Sequence, residues 1–244
     1  PMLHIRNQLA DAINKKKSAR LFSHLAGLFG TALSGNALDK GKATASGANE
    51  DNFLTAATVA EARSLLGERG EEIDTIAMHS AVAYYLQQIG MLTFSTSALS
   101  ASGAVTWGGG GVGIGDPQVA TFAGLRVVID DQLTYLTGGT ATHAVKYPVY
   151  MFKSGVVSEG VQQDLRLAAD RNILSMQDIL AVDYHYGFHI TGTKWAAAGD
   201  NPTNAATSGN LAATASWNLV FATTKMVPIV RLLVNTPFDS TAYS

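Results

Sequence analysis

The chain of 244 residues contains no cysteine, which excludes disulfides, thiolate catalysis and cysteine-ligated zinc or iron–sulfur centres. Charge is also scarce, at 15% of residues against about 25% in an average soluble domain. The deficit covers both signs, since 17 Lys and Arg against 19 Asp and Glu leave a net charge of -2. A dedicated nucleic-acid binder carries a strongly basic domain instead. Long hydrophobic runs are missing too. The longest candidate, residues 227–234, is interrupted by Pro228 and Arg231 and falls well short of the about 18 apolar residues that cross a bilayer, so no membrane partner is expected. The N-terminus lacks the basic-then-apolar order of a secretory signal. It begins with Pro1 in place of Met, which is read as processing or truncation.

What is abundant is apolar surface, at 47% of residues, and glycine, at 24 residues. The length allows one large domain or two small ones, with ample core. Residues 2–29 read as a long amphipathic helix: Ile5, Leu9 and Ile13 recur every four residues and Leu21, Leu25 and Leu28 continue the stripe. Lys15, Lys16, Lys17 and Arg20 cluster in its middle. Residues 31–52 read as a loop. The spacing Thr58-Val59-Ala60-Glu61 predicts a capping box opening a helix that ends at Gly67, followed by a charged turn over residues 68–72. A strand over 73–78 leads to a helix capped by Ser80 and running to Gly90, with Val82, Tyr85, Leu86 and Ile89 as its buried face.

Residues 95–117 are irregular and hold a glycine run. Leu125, Val127 and Ile129 alternate with Arg126, Val128 and Asp130 as a strand that Asp130-Asp131 ends, and a further strand covers 147–152. Residues 156–167 hold another. The clearest alternation runs over 182–190, with Val182, Tyr184, Tyr186, Phe188 and Ile190 on one face and Asp183, His185, Gly187 and His189 on the other. A polar loop over 196–216 precedes a final apolar segment, 217–234. Helices and strands mix without strict βαβ order, so the fold class is α+β.

Chemistry-bearing constellations are weak. The run Gly108-Gly109-Gly110-Gly111-Val112-Gly113 matches G-x-G-x-x-G formally, but a dinucleotide site needs it between a strand and a helix, and here a Ser/Ala/Thr stretch precedes it. His185 and His189 on one strand face stand about 13 Å apart, too far to share a metal ion. Asp183 and His185 are near enough to meet each other. Asp130 and Asp131 point to opposite faces. His79 and Ser80 read as turn and cap. No catalytic, cofactor or metal site emerges.

The order of elements is more informative. The segment Leu65-Leu66-Gly67-Glu68-Arg69-Gly70-Glu71-Glu72-Ile73-Asp74-Thr75-Ile76-Ala77-Met78-His79-Ser80-Ala81-Val82-Ala83-Tyr84-Tyr85-Leu86 resembles the major capsid proteins of tailed bacteriophages, in which a helix, an acidic turn, a strand ending in Met-His-Ser and a second helix follow in this order. Phe122-Ala123-Gly124-Leu125-Arg126-Val127-Val128-Ile129-Asp130-Asp131 resembles their next strand, and residues 184–195, ending Gly192-Thr193-Lys194-Trp195, their late peripheral strand. The resemblance implies the Hong Kong 97-type capsid fold, with mixed sheets and a long spine helix matched to residues 2–29. It divides the chain into a spine helix and loop of the peripheral domain (1–51), a mainly axial part (52–133), and a return to axial and peripheral sheets (134–244). One departure is that family members carry an N-terminal arm and hairpin before the spine helix, and these do not precede Met2 here, so cross-linking through that hairpin is not legible.

On this resemblance the expected function is a self-assembling icosahedral shell around double-stranded DNA, built of hexamers and pentamers. Portal and scaffold or decoration proteins would be partners, in a virion assembled in the host cytoplasm. Lys15, Lys16, Lys17 and Arg20 are the expected contacts to DNA or to neighbouring acidic loops, and Glu68, Arg69, Glu71 and Glu72 the matching surface. The alternatives are a nanocompartment shell of the same fold, and a monomeric hydrolase or nucleotide-binding enzyme.

Overall fold

The structure, a computed structural model, describes residues 2–42, 52–95, 119–133, 136–137, 145–172, 177–196 and 207–238. The glycine run and the 95–117 stretch lie outside these residues, apart from Ser95 itself.

Helix α1, Met2–Gly30, is the predicted long helix, about 43 Å at the usual rise. Its C-terminal half is buried through Phe22, Leu25, Leu28 and Phe29, while Leu9 and Ile13 further back are half-exposed. The next residues were expected to form a loop, yet strand β1, Ala37–Asp39, follows and pairs in parallel with β12, Ile229–Val234. Three residues in a Gly/Ala/Ser-rich stretch give too short a pattern to read; the partner strand 190 residues later supplies the order.

Helix α2, Ala56–Ser64, starts earlier than the spacing suggested. Thr55 is its cap: the Thr55 hydroxyl accepts from the Thr58 amide at 3.2 Å and Thr58 Oγ1 accepts from the Thr55 amide at 2.9 Å. Thr58 is therefore the third helical residue of the box, and not its first member. Strand β2, Thr75–Met78, follows a 3-10 turn over Gly67–Glu72. Helix α3, Ser80–Gln88, is capped by His79, whose Nδ1 accepts from the Ala81 amide at 3.1 Å, and Ser80 is already helical. Val82, Ala83 and Leu86 are buried on α3, whereas Ile89 is 40% exposed because the helix ends before its turn reaches the sheet.

Strands β3 (Thr93–Ser95), β4 (Val119–Phe122), β5 (Leu125–Ile129), β6 (Leu136–Thr137) and β7 (Val145–Phe152) complete a mixed sheet ordered β1-β12-β7-β2-β5-β4-β3, with β6 also on β7. The β4–β5 turn uses Ala123 and Gly124 at φ of 50° and 77°, the positive pair a tight hairpin needs. Strand alternation divides two cores. Ile76, Met78, Val149, Met151, Val230 and Leu232 pack with α2 and α3 on one side. Ala77, Tyr150 and Ile229 pack with Phe22, Leu25, Leu28 and Phe29 of α1 on the other. Both faces of β12 are covered, and so it reads as a continuous apolar run.

Outside this sheet stands a long ribbon, β8 (Val157–Asn172) paired antiparallel with β9 (Gln177–Ile190), its register shifted between Val161 and Arg166. The sequence showed only the stretches 156–167 and 182–190. A second small ribbon joins β10, Thr193–Trp195, to β11, Trp217–Leu219. Within the predicted 196–216 loop the structure inserts a short helix, α4, Ser208–Ala212, capped by Thr207, which packs on α1. The mixture of helices with a mixed sheet agrees with the α+β class.

Candidate functional site

The site of most interest is the seam between α1 and the β8–β9 ribbon. Antiparallel register puts Val157 with Ile190, Glu159 with Phe188 and Val161 with Tyr186, so these share a face with Tyr184 and Val182. That face meets α1. Ile190 is buried and Phe188, Tyr186 and Tyr184 are half-buried, but exposure grows outward, to 48% at Val161 and 37% at Val182. The opposite face carries Asp183, His185 and His189, all exposed as the alternation predicts.

Lys17 anchors the seam. Its Nζ lies 2.7 Å from Glu159 Oε1 and 4.7 Å from the centre of the Tyr184 ring, while Tyr184 Oη donates to Glu159 Oε1 at 2.8 Å. The hydrogen bond to Glu159 raises Lys17 above the ordinary lysine value, and the same bond holds Glu159 below the usual carboxylate range. Arg20 lies over Tyr186 at 5.9 Å. Of the four basic residues expected to face a polyanion, two are therefore turned inward onto tyrosines, and Lys15 and Lys16 are exposed. Beside the seam a cleft of about 230 Å³ is lined by Leu9, Ala12, Ile13, Lys16, Val182 and the two tyrosines.

Three of the four other expected contacts, Arg69, Glu71 and Glu72, are compensated within the chain. Glu72 accepts from Arg69 Nε at 3.2 Å and from Lys153 Nζ at 3.0 Å, and Arg69 also donates to the Met226 carbonyl. Glu71 pairs with Arg63 at 3.4 Å, and Glu68 is exposed. The two groups do not meet in one subunit. Lys153 first, and Arg69 second, hold Glu72 below the carboxylate norm.

Residues with catalytic chemistry take structural roles. Asp131 Oδ1 stands 3.7 Å from His79 Nε2 and accepts from the Ser80 amide at 3.2 Å. A hydrolytic triad needs the imidazole between serine and carboxylate. Here the imidazole's Nδ1 is occupied by the Ala81 N–H, and His79 and Asp131 accept the first amides of α3 instead. Asp183 does meet His185, at 3.1 Å, and accepts from Gln163 Nε2 at 2.6 Å. Among the described residues no group of three or more His, Asp or Glu is placed to hold a metal ion, and no helix is long and apolar enough to cross a membrane.

Sequence reasoning missed several residues that fix this geometry. Glu159, the partner of Lys17, is 142 positions away from it. Asn36 is fully buried, and its amide nitrogen donates to the carbonyls of Thr224, Val227 and Ile229 at 2.9–3.1 Å. Asn235 donates to Val145 and Lys42 and accepts from the Lys42 amide. Single asparagines in loops carry no periodicity that would single them out.

No protein-family model matches the chain, and no curated protein matches it. Among solved structures it is similar to a chain of the holo-SrpI encapsulin complex from Synechococcus elongatus PCC 7942, at 14% identity and a TM-score of 0.45. The match covers 93% of this chain, which spans 64% of the length of that one.

Proposed function

We propose that the protein is a structural subunit of a self-assembling shell of the Hong Kong 97 type, and that the shell encloses protein cargo. The observation that carries the reading is the ribbon. Two-stranded hairpins are marginal in water, and this one runs on past its helical support with both long edges unpaired among the described residues and its apolar face opening at Val161 and Val182. Further apolar side chains stand exposed at Tyr84, Met91, Val220, Phe221 and Met226. Surfaces of this kind call for neighbours, and closed symmetric assembly supplies them without leaving free edges. In this reading α1 and the ribbon form the peripheral part, and the sheet with α2 and α3 the axial part.

Protein cargo is favoured over double-stranded DNA by the inward turn of Lys17 and Arg20, which leaves a thin basic surface for phosphates. The phage reading, with portal and scaffold partners, a virion location and assembly in the host cytoplasm, has no comparable observation behind it. Light scattering and negative-stain microscopy of the purified chain test assembly: closed particles are expected, and a monodisperse 25.6 kDa monomer overturns the proposal. Nuclease digestion and mass analysis of particle contents then separate a nucleic-acid cargo from a protein one.

A further inference from the structure

His24 lies on α1 where the helix meets the segment formed by α4, the 3-10 turn Thr214–Ser216 and β11. Its ring is 2% exposed, and its Nε2 has no hydrogen-bond partner. It stacks on Trp217 with centroids 3.9 Å apart and planes 18° apart. Trp217 in turn packs edge-on against Trp195 at 4.9 Å and donates its indole N–H to the Leu211 carbonyl at 2.8 Å. One turn along α1, Gly27 lies directly against that carbonyl, and Gly30 against Thr214. The segment is a clasp, closed over the helix on an imidazole–indole stack.

Among the described residues, the ionisable groups that act on this stack are cationic or potentially so. Arg20 comes from the preceding turn of α1 and His189 from β9, and both disfavour a proton on His24. Helix α4, the turn and β11 contribute none, since their residues are Ser, Gly, Asn, Leu, Ala, Thr and Trp. Strand β10 brings only Lys194, which is exposed. Among the described residues no carboxylate acts on the ring. An indole face gives an imidazolium some compensation, but desolvation outweighs it. Burial first, then His189 and Arg20, pushes His24 down to about 4.

We propose that His24 is an acid-sensitive latch whose protonation releases the 207–219 clasp from α1. This goes beyond the shell reading and does not rest on it. The sign follows from linkage. The closed state holds a neutral ring, and the open state restores the ordinary value of 6.5, so acid favours opening from about pH 6.5 downward. With those two values the opening equilibrium rises roughly 30-fold between about pH 7.5 and 5.0.

Hydrogen exchange of the full chain, corrected for intrinsic rates, reads this directly. In the wild type, amides of residues 208–219 should gain about 30-fold in opening over that range while β7 and β12 stay protected. His24→Phe keeps a ring on Trp217 and should flatten the profile, and His189→Gln should keep a pH-dependent rise. An equal rise in His24→Phe, or a rise shared by β7 and β12, overturns the latch. Should His24→Phe not fold, the wild-type imidazole titration by NMR decides: a midpoint near 4 supports the proposal, and one near 6.5 with the clasp still closed overturns it.

Discussion

At the scale of single residues, Asn36 ties the chain after α1 to residues 224–229 from one buried position. One buried amide holds the carbonyls of Thr224, Val227 and Ile229, so truncation removes three bonds at once. Asn36→Ala is expected to cost about 1–3 kcal/mol, since it removes three bonds while the Thr224 and Val227 carbonyls keep the Val227 and Ile229 amides; urea denaturation of the two proteins checks it. The Lys17–Glu159 pair behaves differently because both side chains are partly solvated, at 25% and 32% exposure. Glu159→Gln is expected to cost about 1 kcal/mol or less near neutral pH. Glu159 is held below its ordinary value, so its contribution is present above the usual carboxylate range and fades as pH falls through the lowered value. The stability gap between wild type and Glu159→Gln should therefore close in acid and shrink in high salt. A gap that persists under both conditions contradicts the assignment. These residues also mark where sequence reading stops. Lys17 was legible as a charge in a basic cluster, whereas its turn onto Glu159 and Tyr184 depends on a strand 142 positions away.

At the scale of elements, long periodic segments were legible and short ones were not. Helix α1, β5, β7 and the inner part of β9, residues 182–190, follow from repeats of 3.6 or 2 residues. Strand β1 and helix α4 are too brief to show a period, and tertiary contacts create them. Caps were placed a few residues out because Thr55 and Thr58 both satisfy the chemistry, and geometry alone selects Thr55. Thr55→Ala should then lower stability by about 1 kcal/mol, and Glu61→Ala, outside the box, far less; thermal melts of the pair discriminate between the two frames. Gly27 gives a sharper test. Alanine ordinarily stabilises a helix interior by about 1 kcal/mol relative to glycine. At Gly27 an added methyl would run into the Leu211 carbonyl and sit 3.0 Å from Trp217 Nε1. Gly27→Ala is expected to destabilise by on the order of 1–3 kcal/mol, with altered Trp217 fluorescence as α4 is displaced.

For the whole molecule, the seam and the ribbon would join folding to assembly in the proposed shell. The apolar face of the ribbon is shared between α1 and the exposed outer part, so substitutions there should separate the two properties. Val161→Lys combined with Val182→Lys changes side chains that are 48% and 37% exposed. The double variant is expected to keep its circular dichroism and lose the large particle in size-exclusion chromatography with light scattering. Retention of intact particles would show that the ribbon's apolar face lies outside the contacts. In the proposed shell the low charge of the sequence becomes intelligible, because the cores of interfaces between subunits are depleted in charge.

The position of β12 sets a clock. This strand lies between β1 and β7, so residues 37–39 and 145–152 have no bridge between them until residues 229–234 arrive. At typical synthesis rates of about 5–20 residues per second, the 190 residues separating β1 from β12 take roughly 10–40 s to emerge from the ribosome. For the last 77 residues of it, roughly 4–15 s, β7 has been made and its β12 edge stays open. In the proposed shell, a chain would present a finished sheet to its neighbours only after β12 is translated, which would keep half-made chains out of the growing particle.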